Sequence, residues 1–414
     1  MRRCVVVGSG AREHALAWAL AKSALVTVTP GNPGIAAHGI TCVATPSTDL
    51  EAELFVIGPD QPVVDGLADL LRAQGKTVVG PGADGARLEG SKAYLKEFLA
   101  SANVPSAAFG VFNDESEALS FLASMTPPYV IKTDGLAAGK GVLVTSDFEE
   151  ASNDVREKLS GRAFGGAGAT VVIEEGLDGP ECSLMVLCDG VNVTALAPSQ
   201  DFKRLGDGDA GANTGGMGAY APMSSLTSDE LDDIMERIVA PTVRELLRRD
   251  IDYRGVLYAG IMLTSKGPKI LEYNARFGDP ETQVLVPLYG DGLYDLLLQV
   301  AEGRLEGSAP VASGAAVTVI LASYGYPHAP RTGDVIEGLG DDGQLAQAVA
   351  GVTVFHAGTA IDAEGRFITA GGRALAVTGV GATLAEARRR AYEGAALITF
   401  EGRVMRSDIA LSVA

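Results

Sequence analysis

The chain has 414 residues, 47 % apolar and 21 % charged, enough for several buried cores and ordinary for a globular protein. It carries 33 basic and 52 acidic residues, a net charge of −19. That balance excludes a nucleic-acid partner, because counterion release needs a basic stripe. No apolar run approaches the roughly 20 residues that cross a bilayer, and the stretch after "MRR" is too short for a signal segment. No membrane partner and a cytoplasmic location are therefore expected. Cys4, Cys42, Cys182 and Cys188 form no C-x-x-C pair, which reads as buried reduced thiols and excludes a zinc knuckle.

In chain order, "CVVVG" reads as a strand, "REHALAWALAKS" as a helix, "LFVIG" as a strand, "VVDGLADLLRAQG" as a helix and "TVVGP" as a strand. This alternation predicts an α/β unit with a doubly wound parallel sheet that binds at its carboxyl edge. Within it, "VVVGSGAREHAL" sets Gly8-x-Gly10 between strand and helix, but Glu13 stands where a third glycine belongs. No ribose-binding acid follows about 20 residues on, so a dinucleotide fingerprint is excluded. What is left is a glycine turn at a helix N-terminus beside Arg12 and His14: a phosphate site, or a tight turn without a ligand.

"EGSKAYLKEFLASANVPS" predicts a helix closed by Val104–Pro105, at the opening of a second domain. From there to about residue 190, strands joined by glycine turns predict an antiparallel element. The segment "VIKTDGLAAGKGVLV" fails as a P-loop, because Gly135 to Gly139 is one residue short, Gly141 occupies the Ser/Thr position and a strand follows. It reads as a hairpin with Lys132 in its first strand and Lys140 at its tip. The tip either lies over a triphosphate, donating backbone N–H groups, or is a mobile surface loop. "VVIEEGLDGPECS" ends a strand on Glu174 and Glu175, with Glu181 soon after. Such acids are solvated, or they receive an adenine amino group and ribose hydroxyls.

"SQDFKRLGDGDAGANTGGMGAY" is a long glycine-dense loop of the kind that is functional or disordered. "LTSDELDDIMERIVAPTVRELLRRD" predicts a helix with a Thr227–Glu230 capping box and a kink at Pro241. Two strands follow, and the second runs into "KILEYNARFGDPETQ". Glu272 and Asn274, two apart on a strand, share a face. Their oxygens suit Mg²⁺ shared with phosphates, and Arg276 lies one step further, able to clamp a phosphoryl group. Asp279 and Glu281 follow across a Gly-Asp-Pro turn. After about residue 311 the texture is β-rich, with one late helix on which Arg388, Arg389 and Arg390 read as a wet face.

Together "GSGAREHALAWAL", "PGNPG", "GPDQPVVDGL", "LEGSKAYLKEFL", "KTDGLAAGKGV", "SQDFKR", "NTGGMGAY", "EYNARFGDPETQ", "PRTGDVI", "FHAGT" and "GGRALAVT" resemble the ATP-grasp superfamily. Within it they resemble the glycinamide ribonucleotide synthetase family. The resemblance spans essentially the whole chain, and the "NTGGMGAY" and "RFGDPETQ" combination carries the narrower match. It implies an ATP-grasp fold: an N-terminal Rossmann-like domain over 1–100, an ATP-grasp domain over 101–311 with a lid subdomain at about 106–185, and a β-rich C-terminal domain over 312–414. It implies a ligase that activates glycine with ATP as an acyl phosphate and joins it to phosphoribosylamine, with Mg²⁺ or Mn²⁺, as a monomer or weak homodimer.

By the same resemblance, Lys92, Lys132 and Lys140, with Gly139 and Gly141, contact ATP phosphates. The chain at Glu174, Glu175 and Leu177 holds adenine, and Glu181 its ribose. Glu272 and Asn274 bind the metal, while Arg276, Lys132 and Asp201 are the catalytic candidates. Gly10, Arg12, Glu13, Asn32, Asp60, Asn213, Gly215, Gly216, Met217, Asp279 and Glu281 enclose glycine and phosphoribosylamine. Three departures from the family pattern stand out: Ala11 replaces a glycine, Phe202 replaces a histidine, and the strand "GVLYAGIML" lacks a second metal-binding acid.

Overall fold

Five short strands near the N-terminus, each followed by a turn or helix, pair in parallel. They lie in the order Thr41–Cys42, Leu25–Pro30, Arg3–Gly8, Leu54–Ile57, Val78–Val79. The structure is a computed structural model that describes residues 2–136, 141–161 and 170–414. The order reverses beside Arg3–Gly8, so the crevice at the carboxyl ends of Arg3–Gly8 and Leu54–Ile57 is where such sheets take ligands. The expected doubly wound sheet is thus present. Its predicted second helix is two, Asp60–Val64 and Leu67–Ala73, because Gly66 between them takes φ +80°, which ends the first helix.

The region expected to hold adjacent strands forms an antiparallel sheet in the order Phe109–Phe112, Val171–Glu175, Tyr129–Thr133, Val142–Thr145. Two helices that glycine spacing did not reveal lie between its strands, Glu115–Ala123 and Phe148–Leu159. Both start on an aspartate, Asp114 and Asp147, whose side chain accepts backbone N–H groups of the first turn. Their apolar residues Ala118, Leu122, Ala151 and Val155 close a small separate core against the sheet.

A second antiparallel sheet, Val193–Ala195, Glu181–Asp189, Arg254–Thr264, Gly267–Asn274, carries the central strands. The helix packed on it begins with the predicted capping box: Thr227 Oγ1 accepts from Glu230 N, and Glu230 accepts from Thr227 N at 2.8 Å. The expected break at Pro241 takes the form of a π turn over Met235–Val239, after which Ala240–Arg248 continues as α-helix.

The last sheet joins Gln200–Asp201 and Gly218–Ala221 to Ala315–Ala322, Arg373–Gly381 and Val352–His356. The glycine-dense loop therefore leaves and returns within a sheet built largely by the C-terminal region. The late helix Leu384–Ala396 packs on that sheet, and of its arginines only Arg389 is fully on the surface. Arg388 instead donates to Ile409 O at 2.9 Å, and Arg390 pairs with Glu386 at 2.7 Å. Among the described residues, no single helix is long and apolar enough to cross a membrane.

Three of the four histidines meet where the C-terminal region packs on the first helix and the Pro33–Ala37 helix. Gly34 permits the approach, since a Cβ there would lie 1.9 Å from His356 Cγ. His14 Nδ1 accepts from His356 N at 2.9 Å, so the proton sits on Nε2, 3.0 Å from His38 Nδ1. Burial pushes all three rings below their ordinary pKa, His356 to about 4. An unfolded histidine titrates near 6.5, so as pH falls below about 6.5 the unfolded chain binds protons that the folded seam refuses. Stability is therefore expected to be full above about pH 6.5 and to be lost as pH falls through the folded-state values. Urea midpoints measured from pH 7.5 downward check this, and the slope should be shallower in His356→Gln.

Candidate active site

The strand Gly267–Asn274 buries Ile270 and Tyr273 and turns Glu272 and Asn274 toward a cleft that the antiparallel sheets share. Burial favours a neutral Glu272, but the charges of Lys203, Lys132, Lys92 and Arg276 outweigh it and hold the carboxyl below its ordinary range. Asn274 Oδ1 accepts from Arg276 at 2.9 Å. Arg276 is in turn paired with Glu89 at 2.8 Å, and the other oxygen of Glu89 accepts from Ala275 N at 2.8 Å. Burial opposes the Arg276 charge, yet Glu89 and then Asp60 raise its pKa above the ordinary value.

No cluster of three His, Cys, Asp or Glu side chains able to hold a metal exists among the described residues. A divalent cation would thus have two hard oxygen donors from the chain, Glu272 and Asn274, near the charges of Lys203, Lys132, Lys92 and Arg276. Two hard oxygens suit a cation that completes its shell with waters. The strand Arg254–Thr264 supplies no acid, and Tyr258 stands across from Asn274.

Lys132 and Glu174 lie on neighbouring strands, and Glu174 bridges Lys132 at 2.9 Å and Lys96 at 2.8 Å, all three side chains being buried. Lys96 is a residue that sequence reasoning missed. Its signal was the i,i+4 spacing after Lys92 on a helix capped by Ser91. Burial lowers the Lys96 pKa to about 8 against the opposing pull of Glu174. Lys92 Nζ donates to Gly135 O at 2.8 Å, and burial also lowers its pKa. Gly141 O accepts from Thr133 N at 2.8 Å, while Gly139 and Lys140 lie outside the described residues. The Glu174 side chain is thereby committed to lysines, and Glu175 accepts from Lys269 at 2.7 Å and Ala108 N at 3.1 Å. The residue after this strand's turn, Leu177, sits in open loop.

Asp201 and Glu181 share Lys203, at 3.1 and 2.6 Å. Burial opposes the Lys203 charge, but the two carboxylates hold its pKa well above the ordinary value. From Asp201 a chain of polar groups runs through Ser183 Oγ (3.5 Å) and Tyr258 OH (3.0 Å) to Glu281, which accepts from Tyr258 at 2.7 Å. Burial, and next the charge of Asp201, raise the Glu281 pKa to about 7.

Across the cleft, Gly10 opens the helix Ala11–Leu20. Glu13 is 2 % exposed, accepts from Gly10 N at 2.6 Å and pairs with Arg12 at 2.5 Å. Its carboxylate caps the helix and holds Arg12. Asn32 caps the Pro33–Ala37 helix and donates to Ser9 O at 2.8 Å, and Asp60 accepts from Gln61 N at 2.9 Å. Met217 is fully buried, its N–H donating to Phe202 O at 2.7 Å and its carbonyl accepting from Ile320 N at 3.0 Å, so the residue packs beneath the loop. Asn213 lies in a short hairpin opposite Arg204. Gly216, at φ +104°, lies against Pro280: a Cβ there would come 2.4 Å from its ring. Asp279 pairs with Arg373 at 3.0 Å, a residue of the "GGRALAVT" stretch to which the sequence assigned no role.

The sequence profiles of the phosphoribosylglycinamide synthetase N, ATP-grasp (A) and C domains match residues 2–89, 90–282 and 316–412. A phosphoribosylamine–glycine ligase of Streptomyces coelicolor is 46 % identical over 426 aligned positions, covering 100 % of this chain and 99 % of that protein. The chain belongs to the phosphoribosylglycinamide synthetase family. The crystal structure of a Thermotoga maritima phosphoribosylamine–glycine ligase superposes with a TM-score of 0.86 at 37 % identity, covering 99 % of this chain and 100 % of that one. A biotin carboxylase domain from Hydrogenobacter thermophilus, in complex with MgADP, ADP and bicarbonate, superposes with a TM-score of 0.72. It is 18 % identical, covering 98 % of this chain and 91 % of its own, and so shares the fold alone.

Two departures of this phosphoribosylglycinamide synthetase family member have physical accounts. Ala11 is the first residue of a helix, where a Cβ is tolerated. Phe202 packs against Tyr220 and lies under the Arg406 guanidinium, 4.9 Å from its ring centre. Replacing Glu174 by Gln would leave Lys96 and Lys132 facing each other, and an unfolding free energy lower by about 3–5 kcal/mol is expected. Urea titration of Glu174→Gln measures it, and adding Lys96→Met should recover part of the loss.

Proposed function

We propose that this chain is an ATP-dependent ligase that joins glycine to 5-phosphoribosylamine, giving glycinamide ribonucleotide, ADP and phosphate in purine biosynthesis. The observation that carries the reading is the pairing of two unlike rims around one cleft. One has Lys92 and Lys132 beside Glu272 and Asn274; the other has the helix N-terminus at Gly10 facing Asp279. The first suits a triphosphate, and the second suits a sugar phosphate. Family membership at 46 % identity over the full chain supports the same assignment.

A carboxylate does not form an amide until its oxygen is converted to a leaving group. Glycine's carboxylate oxygen attacks the γ-phosphorus, the bond to the β-phosphate oxygen breaks, and ADP leaves. The amine nitrogen of phosphoribosylamine then attacks the acyl carbon, phosphate leaves, and the nitrogen gives up a proton. Lys92 and Lys132 hold the phosphates, and Arg276, locked in direction by Glu89 and Asn274, steadies the transferring group. Glu272 and Asn274 would hold Mg²⁺ or Mn²⁺, which when bound neutralises charge on the phosphates. Asp201 is held by Lys203, whose charge also acts on Glu272.

ADP release with Mg²⁺ and ATP tests the reading when glycine and phosphoribosylamine are omitted in turn: turnover should require both. Turnover with aminoimidazole ribonucleotide and bicarbonate instead would overturn the substrates but keep the fold, and tight ATP binding without turnover would indicate a silent regulator. Glu272→Gln is expected to raise the metal concentration for half-maximal rate by about tenfold or more, read from Mg²⁺ titrations at saturating ATP.

A further inference from the structure

We propose that Arg373 is a positioning residue for the sugar-phosphate half of the site, acting across the chain from the C-terminal region. The inference rests on the ligase reading and deepens it. Arg373 opens the strand Arg373–Gly381, yet its guanidinium points away from that sheet into a junction of two other segments. It donates to the carbonyls of Gly215 and Asp279, the latter at 2.9 Å, and pairs with Asp279 Oδ2 at 3.0 Å. The same loop is held from a second point, because Gly215 N donates to Tyr326 OH at 2.9 Å.

The preceding glycines make this reach possible. A Cβ on Gly372 would lie 2.4 Å from the Tyr326 ring, and one on Gly371 3.1 Å from Gly358 Cα. The "GGR" run is thus the contact surface that brings Tyr326 and Arg373 onto the glycine loop together.

Charge gives the arrangement its direction. Asp279 lies within the rim opposite the Gly10 helix: a Cβ on Gly10 would be 3.8 Å from Asp279 Oδ2. An uncompensated carboxylate there would repel an anionic sugar phosphate. Arg373 cancels that charge and fixes the Gly215–Gly216 backbone against Pro280 at the same time. Its guanidinium is engaged with protein groups, so it acts through the loop and the turn rather than by touching substrate.

The test uses the full chain in the reverse direction, with glycinamide ribonucleotide, ADP and phosphate. Arg373→Gln should raise KM for the ribonucleotide by about tenfold or more while KM for ADP stays within about twofold. Arg373→Lys restores the charge without the set of carbonyl bonds and should fall between. Tyr326→Phe, a mild change on the same loop, should shift the ribonucleotide KM in the same direction by a few-fold. A folded Arg373→Gln with unchanged ribonucleotide KM, or with both KM values raised alike, would overturn the inference. If Arg373→Gln does not fold, an unchanged ribonucleotide KM in Tyr326→Phe would do so. A wild-type chain that cannot process the ribonucleotide would sink the ligase reading first, and this inference with it.

Discussion

Glu174 sets one negative charge between two buried lysines, Lys96 from a helix and Lys132 from a strand. Two positive charges on one negative leave the group cationic, and this solves a problem peculiar to the chain. With a net charge of −19, the protein as a whole repels nucleotides. It can attract them only where a few cations are concentrated between low-dielectric walls. Those cations could not be buried alone, because an unpaired charge out of water costs several kcal/mol. Each is therefore held by a carboxylate from another segment: Arg276 by Glu89, Lys203 by Glu181 (and by Asp201 two residues away), Arg373 by Asp279.

This pairing also explains how three separately built regions form one cleft. Lys203–Asp201 apart, the partners come from different elements, so a pair forms only when those elements are docked. Glu89 ends a helix of the N-terminal region and fixes Arg276 at the end of a central strand. Asn32 donates both to Ser9 O and to His356 O, at 2.8 and 2.9 Å, tying the first glycine turn to the C-terminal sheet. The glycine-dense loop has its ends in that sheet, and its returning limb at Gly215 is held by Arg373 and Tyr326. The C-terminal region is in this sense part of the wall of the cleft.

Much of the fold and of the site chemistry could be read along the chain, because the signals were local. Strand–helix alternation, the Thr227 capping box and the two-residue spacing of Glu272 and Asn274 depend only on near neighbours. The helices at Glu115–Ala123 and Phe148–Leu159 had local signals too, in Asp114 and Asp147, but the glycines around them drew the reading toward turns.

The sequence by itself determined which elements form, which residues could hold a triphosphate and a metal, and which family the motifs resemble, since spacing along a strand or helix fixes which side chains share a face. Only the tertiary structure decided what each charged side chain does. The Glu174 carboxylate bridges Lys96 and Lys132, and that of Glu13 accepts from Gly10 N and pairs with Arg12. Lys96, Glu89 and Arg373 lie within motifs that gave them no role of their own. Their partners are distant in the chain, and a buried charge acquires its role from the group that neutralises it.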